Sequence, residues 1–146
     1  MSSIYRSRSA PPTSPSKRDI RVAAKASELG ALILFSTALD RTVTFYRAIG
    51  VPLEPETHDD GTLHYACELG ATHFAVFPAH AGCAQPYGSG GCSFPGFVVE
   101  SVVAALDAAR SLGATVRQEP EEYPWGLRAV TEDPDGRPVE IFQRHR

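Results

Sequence analysis

The sequence predicts an α+β protein made of two tandem modules, each with the element order β-α-β-β-β. Two observations carry this prediction. Apolar periodicity and turn residues follow that order from about residue 30 to residue 78, and again from about residue 93 to residue 143. Short stretches of the first half also reappear in the second half at nearly constant offset, as 47–51 with 110–114 and 74–77 with 139–142. Such self-similarity indicates a duplicated structural unit.

The first module begins with a short apolar run of strand length, residues 31–36. Asp40 is expected to cap a helix that ends near Ile49, with Gly50 as its stop signal. Residues at helical spacing predict its buried stripe: Val43, Tyr46 and Ile49.

Three further strands are predicted in this module, over residues 51–56, 62–69 and 72–77. The last two form a hairpin around Gly70-Ala71. A two-residue turn pairs Glu68 with His73 and Ala66 with Ala75. Because strand side chains alternate between faces, this register places the polar and aromatic residues on the face away from the helix: His64, Glu68, His73 and Phe77.

The second module repeats this order. Residues 93–99 form a strand, Ser101 caps a helix that ends at Leu112, and Gly113 stops it. Strands follow over residues 114–118, 127–132 and 138–143. The last two are joined by a turn with favourable residues, Asp133-Pro134-Asp135-Gly136. Residues 79–92 form a Gly-rich linker between the modules, or alternatively a lid.

Residues 1–29 are rich in Ser, Pro and Arg and lack apolar periodicity, which predicts a disordered basic tail. An upstream start codon or a transit peptide would explain the same composition. Of the 14 Lys/Arg and 17 Asp/Glu, six basic and two acidic residues fall within 1–30. The remaining body is therefore acidic, which disfavours nucleic acid and is expected to tolerate or attract a cationic ligand.

Neither a membrane span nor an apolar leader is apparent, and the three cysteines are odd in number. We therefore expect reduced thiols in a cytoplasmic protein that binds neither nucleic acid nor membrane. Pairing of Cys83 with Cys92 under oxidation is the alternative for those two residues.

Three segments carry a resemblance to a known family. Residues 39–46 resemble its first-helix signature, residues 124–128 the loop before its penultimate strand, and residues 133–141 its C-terminal signature. Together they resemble the glyoxalase/bleomycin resistance protein/extradiol dioxygenase superfamily, also called vicinal oxygen chelate (VOC) proteins. The resemblance covers about residues 30–143 and implies a single VOC domain over 30–146. It also implies a half-open curved sheet around a small-molecule cavity, and a homodimer as in many relatives.

The metalloenzymes of this family bind a divalent ion on the first and fourth strands of each module. The resemblance places these positions at Ala31, Ala75, Phe94 and Glu140, of which only Glu140 can ligate a metal. We therefore expect no metal and no cofactor. The alternative is a divalent metal held in an unorthodox way by His64, His73 and Glu140.

The predicted site follows from strand alternation on the cavity face. The candidate catalytic residues are His73, Glu68 and Glu140. The candidate ligand-binding residues are mainly aromatic or cationic: Phe35, His64, Phe77, Phe94, Trp125 and Arg128. The Glu68–His73 pair is either a cross-strand ion pair or an acid–base pair. Trp125 either stacks on a ligand or anchors its loop, and Arg128 either binds a carboxylate or pairs with Glu132 or Glu140.

Three functions are consistent with these residues. The favoured one is metal-independent binding and sequestration of a small organic molecule in an apolar cavity, as in bleomycin-resistance proteins. The alternative is an enzyme, either a glyoxalase-like lyase/isomerase or a dioxygenase type, that uses a divalent metal or a His/Glu acid–base pair. The third is an interaction domain with a filled interior.

Overall fold

The computed structural model describes residues 26–81 and 93–145. They form two four-stranded mixed sheets, each covered on one side by a helix, as the sequence predicts. The first module comprises β1 Ala31–Ser36, α1 Leu39–Ala48, β2 Glu54–Thr57, β3 Leu63–Leu69 and β4 Thr72–Pro78. The second comprises β5 Gly96–Val98, α2 Val102–Ser111, β6 Val116–Tyr123, β7 Gly126–Glu132 and β8 Pro138–Arg144.

Both sheets have the same topology. The strand order is β1-β4-β3-β2 in the first and β5-β8-β7-β6 in the second. In each, the first strand runs parallel to the last, and the other neighbours are antiparallel. This identity of order confirms the duplicated module.

The β3–β4 hairpin has the predicted register. Glu68 lies opposite His73 and Ala66 opposite Ala75. Gly70 adopts a φ of 61° at the turn, a conformation that glycine reaches without steric cost. Because a shift of the register by one residue would turn every side chain to the opposite face of the sheet, the observed register places His64, Glu68, His73 and Phe77 on the predicted face.

Several predicted boundaries were wrong. Asp40 is not the helix cap: α1 begins at Leu39 after Ala38, and Asp40 lies in the first turn, where its charge favours the helix dipole. Ser101 does cap α2, since its Oγ accepts a hydrogen bond from the Ala104 N–H at 3.2 Å. The strands predicted over 51–56 and 93–99 are shorter, and the one predicted over 114–118 continues to Tyr123 past two register shifts.

Some predicted features lie outside the described residues. They are the first 25 residues of the predicted 1–29 tail, most of the predicted linker, and the possible pair Cys83 and Cys92. Cys67 is a free, half-buried thiol. In the described residues, no helix is long and apolar enough to cross a membrane.

One apolar core joins the helix-covered sides of the two modules. The predicted stripe of α1 is buried, with Val43, Tyr46 and Ile49 at most 3% exposed. Phe97 of β5 contacts two rings of the first module, Tyr46 at 5.8 Å and Phe74 at 5.3 Å between ring centroids. The modules are therefore held together by packing across their helix-covered sides.

A buried polar network adds specificity to this junction. Asp133 and Arg137 flank the turn between β7 and β8, and the Arg137 guanidinium donates to the Asp133 carboxylate at 2.8 Å. The Tyr46 hydroxyl of α1 donates to the same carboxylate at 2.8 Å. Arg137 also donates to the carbonyl of Phe35 at the end of β1.

Asp135 completes the network from the tip of the turn. Its carboxylate accepts hydrogen bonds from the Thr37 N–H at 3.0 Å, the Thr37 hydroxyl at 2.7 Å and the Thr42 hydroxyl at 3.1 Å. Burial opposes its ionisation, but the hydroxyls of Ser36, Thr37 and Thr42 hold the pKa of Asp135 below its usual value. Burial and the nearby Asp133 raise the pKa of Tyr46, so this phenol remains a donor.

We expect Asp133→Asn to lower the free energy of unfolding by about 3 kcal/mol, because Arg137 would lose its nearest buried counter-charge. Urea unfolding followed by circular dichroism measures this change. Glu119→Gln is the control, since Glu119 pairs with Arg110 at an exposed position. Its stability should stay close to that of the parent. Equal stability of the two variants would contradict a structural role for the network.

Candidate functional site

Each sheet has one face that no helix covers, and we call it the open face. In the described residues, several apolar side chains on or beside the open faces are solvent-exposed: Ile33 at 47%, Phe94 at 52%, Val98 at 54% and Trp125 at 45%. Exposed apolar residues that cluster in this way mark binding surfaces more often than scattered ones do.

The open face of the first module carries an aromatic group. The His64 ring stacks on Phe77, with centroids 4.1 Å apart and planes at 7°. Phe35 lies 6.1 Å from Phe77, and His58 lies 5.3 Å from His64. The structure thus brings together three of the predicted ligand-binding residues, Phe35, His64 and Phe77.

His64 has a carboxylate partner that strand patterning did not reveal. Its Nε2 lies 3.2 Å from Oε2 of Glu56, which faces it across the β2–β3 ladder. The residue is only 4% exposed, and its Nδ1 has no hydrogen-bond partner within residues 26–81 and 93–145. A buried nitrogen without a partner is costly, so His64 has one unused site for a hydrogen bond.

The predicted Glu68–His73 pair is present. The His73 Nδ1 lies 2.5 Å from Glu68 Oε1, across the ladder of β3 and β4. The two side chains are 36% and 67% exposed. Because water screens a pair this exposed, its contribution to stability is small.

The open face of the second module holds the predicted Arg128 and Glu140. The Arg128 Nε donates to Glu140 Oε1 at 2.5 Å, and Nη1 donates to Oε1 of Gln118. Gln118 is itself oriented, since its Nε2 donates to Glu121 at 2.8 Å and to the Tyr123 hydroxyl at 3.1 Å. The hydrogen bond to Glu140 raises the pKa of Arg128 against the opposing effect of burial.

A pocket of about 470 Å³ lies beside this ion pair. Its lining combines aromatic and charged side chains: Trp125, Glu140, Phe142, Arg144 and His145. The Trp125 indole stacks on Tyr123, with centroids 5.3 Å apart at 12°, and meets the Phe142 ring edge-on at 5.6 Å. Trp125 is therefore both anchored in its loop and 45% exposed toward solvent.

Two glycines shape this pocket. A Cβ at Gly96 would lie 3.0 Å from Glu140 Oε2 and 3.5 Å from the Phe142 ring, so the absent side chain leaves room for both. Gly126 follows Trp125 with a φ of 151°, and a Cβ there would lie 1.9 Å from the carbonyl oxygen of Gln143. Only glycine allows β7 to start this close to β8.

A second cavity, of about 450 Å³, lies between the start of α1, the connection from α2 to β6 and the turn between β7 and β8. None of the predicted site residues lines it. Its buried acid, Asp133, already binds Tyr46, Arg137 and two backbone N–H groups. This cavity is best explained as a crevice between the packed modules.

The residues at the family's metal positions do not fit a metal ion. Across the ladders, Ala75 lies opposite Ile33 and Glu140 opposite Gly96, and neither Ile33 nor Gly96 has a side chain that can ligate a metal. His73 lies opposite Ala31, but its Nδ1 contacts Glu68. Glu140 is engaged by Arg128. Within residues 26–81 and 93–145, no three His, Cys, Asp or Glu side chains form a metal-binding group. His64, His73 and Glu140 therefore do not come together as such a group.

The site contains residues that strand patterning missed. Gln118 was predicted only as the last residue of a strand. In the structure, β6 continues beyond it with register shifts on both sides, and the Gln118 side chain accepts a hydrogen bond from Arg128. Arg144 and His145 lie at the very end of the described chain and showed no periodicity. Phe94, predicted on a strand, lies before β5 and does not line the pocket.

A family model described as the Glyoxalase/Bleomycin resistance protein/Dioxygenase superfamily matches residues 28–141. A solved glyoxalase/bleomycin resistance protein from Albidiferax ferrireducens is 22% identical, with a TM-score of 0.63 over 82% of this chain and 100% of that chain. The antibiotic binding protein TnmS3 from a Streptomyces species is 18% identical, with a TM-score of 0.58 over 84% and 99% of the two chains. No curated protein matches the sequence significantly.

A glyoxalase-related enzyme from Fulvimarina pelagi is also similar, at 17% identity and a TM-score of 0.61 over 82% of this chain and 89% of that chain. Binding proteins and enzymes thus share this architecture. At such identities the likeness establishes the fold, and function has to be argued from the site.

We expect Gly126→Ala to destabilise the protein by about 3 kcal/mol or more and to shift the emission of Trp125, because the new methyl group would displace β7 from β8. Gly61→Ala is a matched control, since Gly61 also has a positive φ, 85°, but open space around it. Gly61→Ala should lower the free energy of unfolding by about 1–2 kcal/mol and leave the emission of Trp125 unchanged. Equal effects of the two substitutions on stability and emission would contradict the close approach at Gly126.

Proposed function

Because the chain belongs to the glyoxalase/bleomycin resistance protein/dioxygenase superfamily, we propose that it binds a small aromatic molecule without a metal ion and sequesters it. The ligand lies on the open face of the second module, in the pocket beside Trp125. The family membership inferred from the three signature segments is confirmed by the match over residues 28–141.

The chemistry of the family's metal positions carries this proposal. Ala31, Ala75 and Phe94 offer no lone pair, and a metal site with Glu140 as its one side-chain ligand lacks the roughly three protein ligands that a catalytic ion needs. The single carboxylate is neutralised by Arg128 at 2.5 Å. No step that requires a metal ion can therefore be assigned to these residues.

The pocket supports the binding of a planar ligand. Its volume of about 470 Å³ falls in the usual range for small-molecule sites. Trp125 and Phe142 provide two aromatic surfaces at nearly right angles, 85°. Stacking on Trp125 with the Phe142 edge at one side would hold a flat ring system in one orientation. The similar fold of an antibiotic binding protein supports sequestration as the functional class.

Metal analysis and a ligand screen test this proposal together. We expect the purified, tag-free protein to hold well under one-tenth equivalent of zinc, nickel, iron or manganese. Among a library of aromatic compounds, some should raise the melting temperature and change the emission of Trp125, the only tryptophan. Near-stoichiometric metal would overturn the metal-independent function, and a library without any stabilising compound would overturn ligand binding.

A pair of variants localises the binding. Trp125→Ala should abolish the melting-temperature shift given by the best compound, whereas Leu63→Ala should retain it. Leu63 is a matched control because it is apolar and 46% exposed but lies in the first module. Loss of the shift in both variants would indicate a general destabilisation rather than a site at Trp125.

We further propose that a second copy of the chain covers the exposed apolar residues of the open faces. Ile33 and Val98 lie on the first strands of the two modules and are about half exposed, at 47% and 54%. Light scattering after gel filtration should give a dimer for the parent and a monomer for Ile33→Lys/Val98→Lys. The control Val103→Lys, an equally exposed residue on α2, should remain dimeric. A monomeric parent would contradict this assembly.

A second candidate function is proton transfer by a His–Glu pair. His64 favours it, because one nitrogen contacts Glu56 at 3.2 Å while the other has no hydrogen bond from the part of the chain that the structure describes. That arrangement is typical of a base oriented by a carboxylate. Isomerisation of the methylglyoxal–glutathione hemithioacetal, compared between the parent, His64→Gln and His73→Gln, tests it. Turnover that neither substitution changes, or no turnover at all, would exclude this acid–base role in that reaction.

A further inference from the structure

The Arg128 guanidinium is a fixed positive charge on the open face of the second module. Glu140 accepts from Nε and Gln118 accepts from Nη1, so two contacts on different strands hold the planar group. The side chain is 22% exposed, which leaves part of it accessible to a ligand. Its charge lies against Glu140, the carboxylate at the family's fourth metal position.

Part of this guanidinium remains unused. Glu140 and Gln118 take two of its five N–H groups, and the Tyr123 hydroxyl is a third hydrogen-bond partner. At least two N–H groups therefore have no acceptor within the described residues. Arg128 lies directly opposite Phe142 in the β7–β8 ladder, so both side chains point to the same face. Arg128 does not itself line the pocket, but its neighbours Phe142 and Glu140 do, which places the guanidinium next to the pocket.

The acceptors around this pocket are only partly engaged. Glu140, which lines the pocket, accepts from Arg128 through one carboxylate oxygen, and its other oxygen lies beside Gly96 without a hydrogen bond from the described residues. Glu121 accepts from Gln118 and Tyr123. The Arg144 guanidinium, which also lines the pocket, shows no hydrogen bond or ion pair with the described part of the chain. Together with the adjoining Arg128, the pocket thus has two guanidinium groups against one carboxylate, which leaves a net positive charge.

We propose that the pocket takes a planar aromatic ligand with an anionic oxygen, such as a carboxylate or phenolate, and that Arg128 binds that oxygen in place of the metal ion of related enzymes. Arg144 at the rim adds a second positive charge. This inference rests on the proposed binding function, because it names the ligand class for the same pocket. It also reverses the expectation from composition, since the acidic body by itself favours a cationic ligand.

Three probes of similar shape test the charge preference by isothermal titration calorimetry on the full chain. They are 2-naphthoate, 2-naphthamide and 2-naphthylmethylammonium. We expect the anion to bind at least about tenfold more tightly than the neutral amide, because hydrogen bonds between charged partners are about twice as strong as neutral ones. The cation should bind most weakly.

The failures of the two proposals are distinguishable. If none of the probes binds at millimolar concentration, the proposed aromatic pocket fails, and this inference fails with it. If the probes bind with equal affinity, or the cation binds best, the pocket stands and the anion preference is overturned.

Variants assign the preference to Arg128. The double variant Arg128→Gln/Glu140→Gln removes both charges, so no unpaired ion is left behind. Within this variant, 2-naphthoate should lose its tenfold preference over 2-naphthamide. The matched control is Arg117→Gln, since Arg117 pairs with Glu132 across the neighbouring strands β6 and β7 but outside the pocket. It should retain the preference.

Arg144→Gln separates the two cations. We expect it to reduce the preference for 2-naphthoate by a few fold and to leave most of it intact. If this variant loses the whole preference while the Arg128→Gln/Glu140→Gln variant keeps it, the anion binds at Arg144 and the role assigned to Arg128 is wrong.

Discussion

The buried ion pair between Asp133 and Arg137 is the interaction on which the arrangement of the two modules depends. It lies in the last turn of the second module, yet its other partners are Tyr46 of α1 and the carbonyl of Phe35 at the end of β1. Such a network is costly to desolvate and tolerates few alternatives, because every donor and acceptor needs its partner. It thereby fixes where the first module sits on the second, while the apolar core provides the driving force.

This junction also explains the two signature segments that lie farthest apart in the sequence. Residues 39–46 and 133–141 both contribute side chains to this network. Of these two segments, only Glu140 lines the pocket. A signature of this kind identifies a fold, and the chemistry has to be sought on the faces that the junction leaves free.

The pocket depends on the junction indirectly. With the helix-covered sides packed against each other, the open faces are left without cover from either helix. On the second module this face presents Trp125 on a loop that Gly126 holds close to β8. Arg128 and Glu140 sit on neighbouring strands, close enough to form an ion pair where related enzymes place a metal. The proposed binding without metal and the proposed recognition of an anionic oxygen both rest on that substitution of charge.

The sequence by itself determined the element order, the β3–β4 register, the buried stripe of α1 and the likeness of the two modules. These features depend on local periodicity and turn chemistry, which one-dimensional patterns record directly. It also determined that Ala31, Ala75 and Phe94 cannot bind a metal, because that conclusion needs only the chemistry of the side chains. Only the tertiary structure decided the partners across strands and modules, such as Glu56 for His64, Gln118 for Arg128 and Thr42 for Asp135. Those contacts join residues on separate strands and helices, and their distances depend on sheet pairing, bulges and module packing that no local pattern encodes.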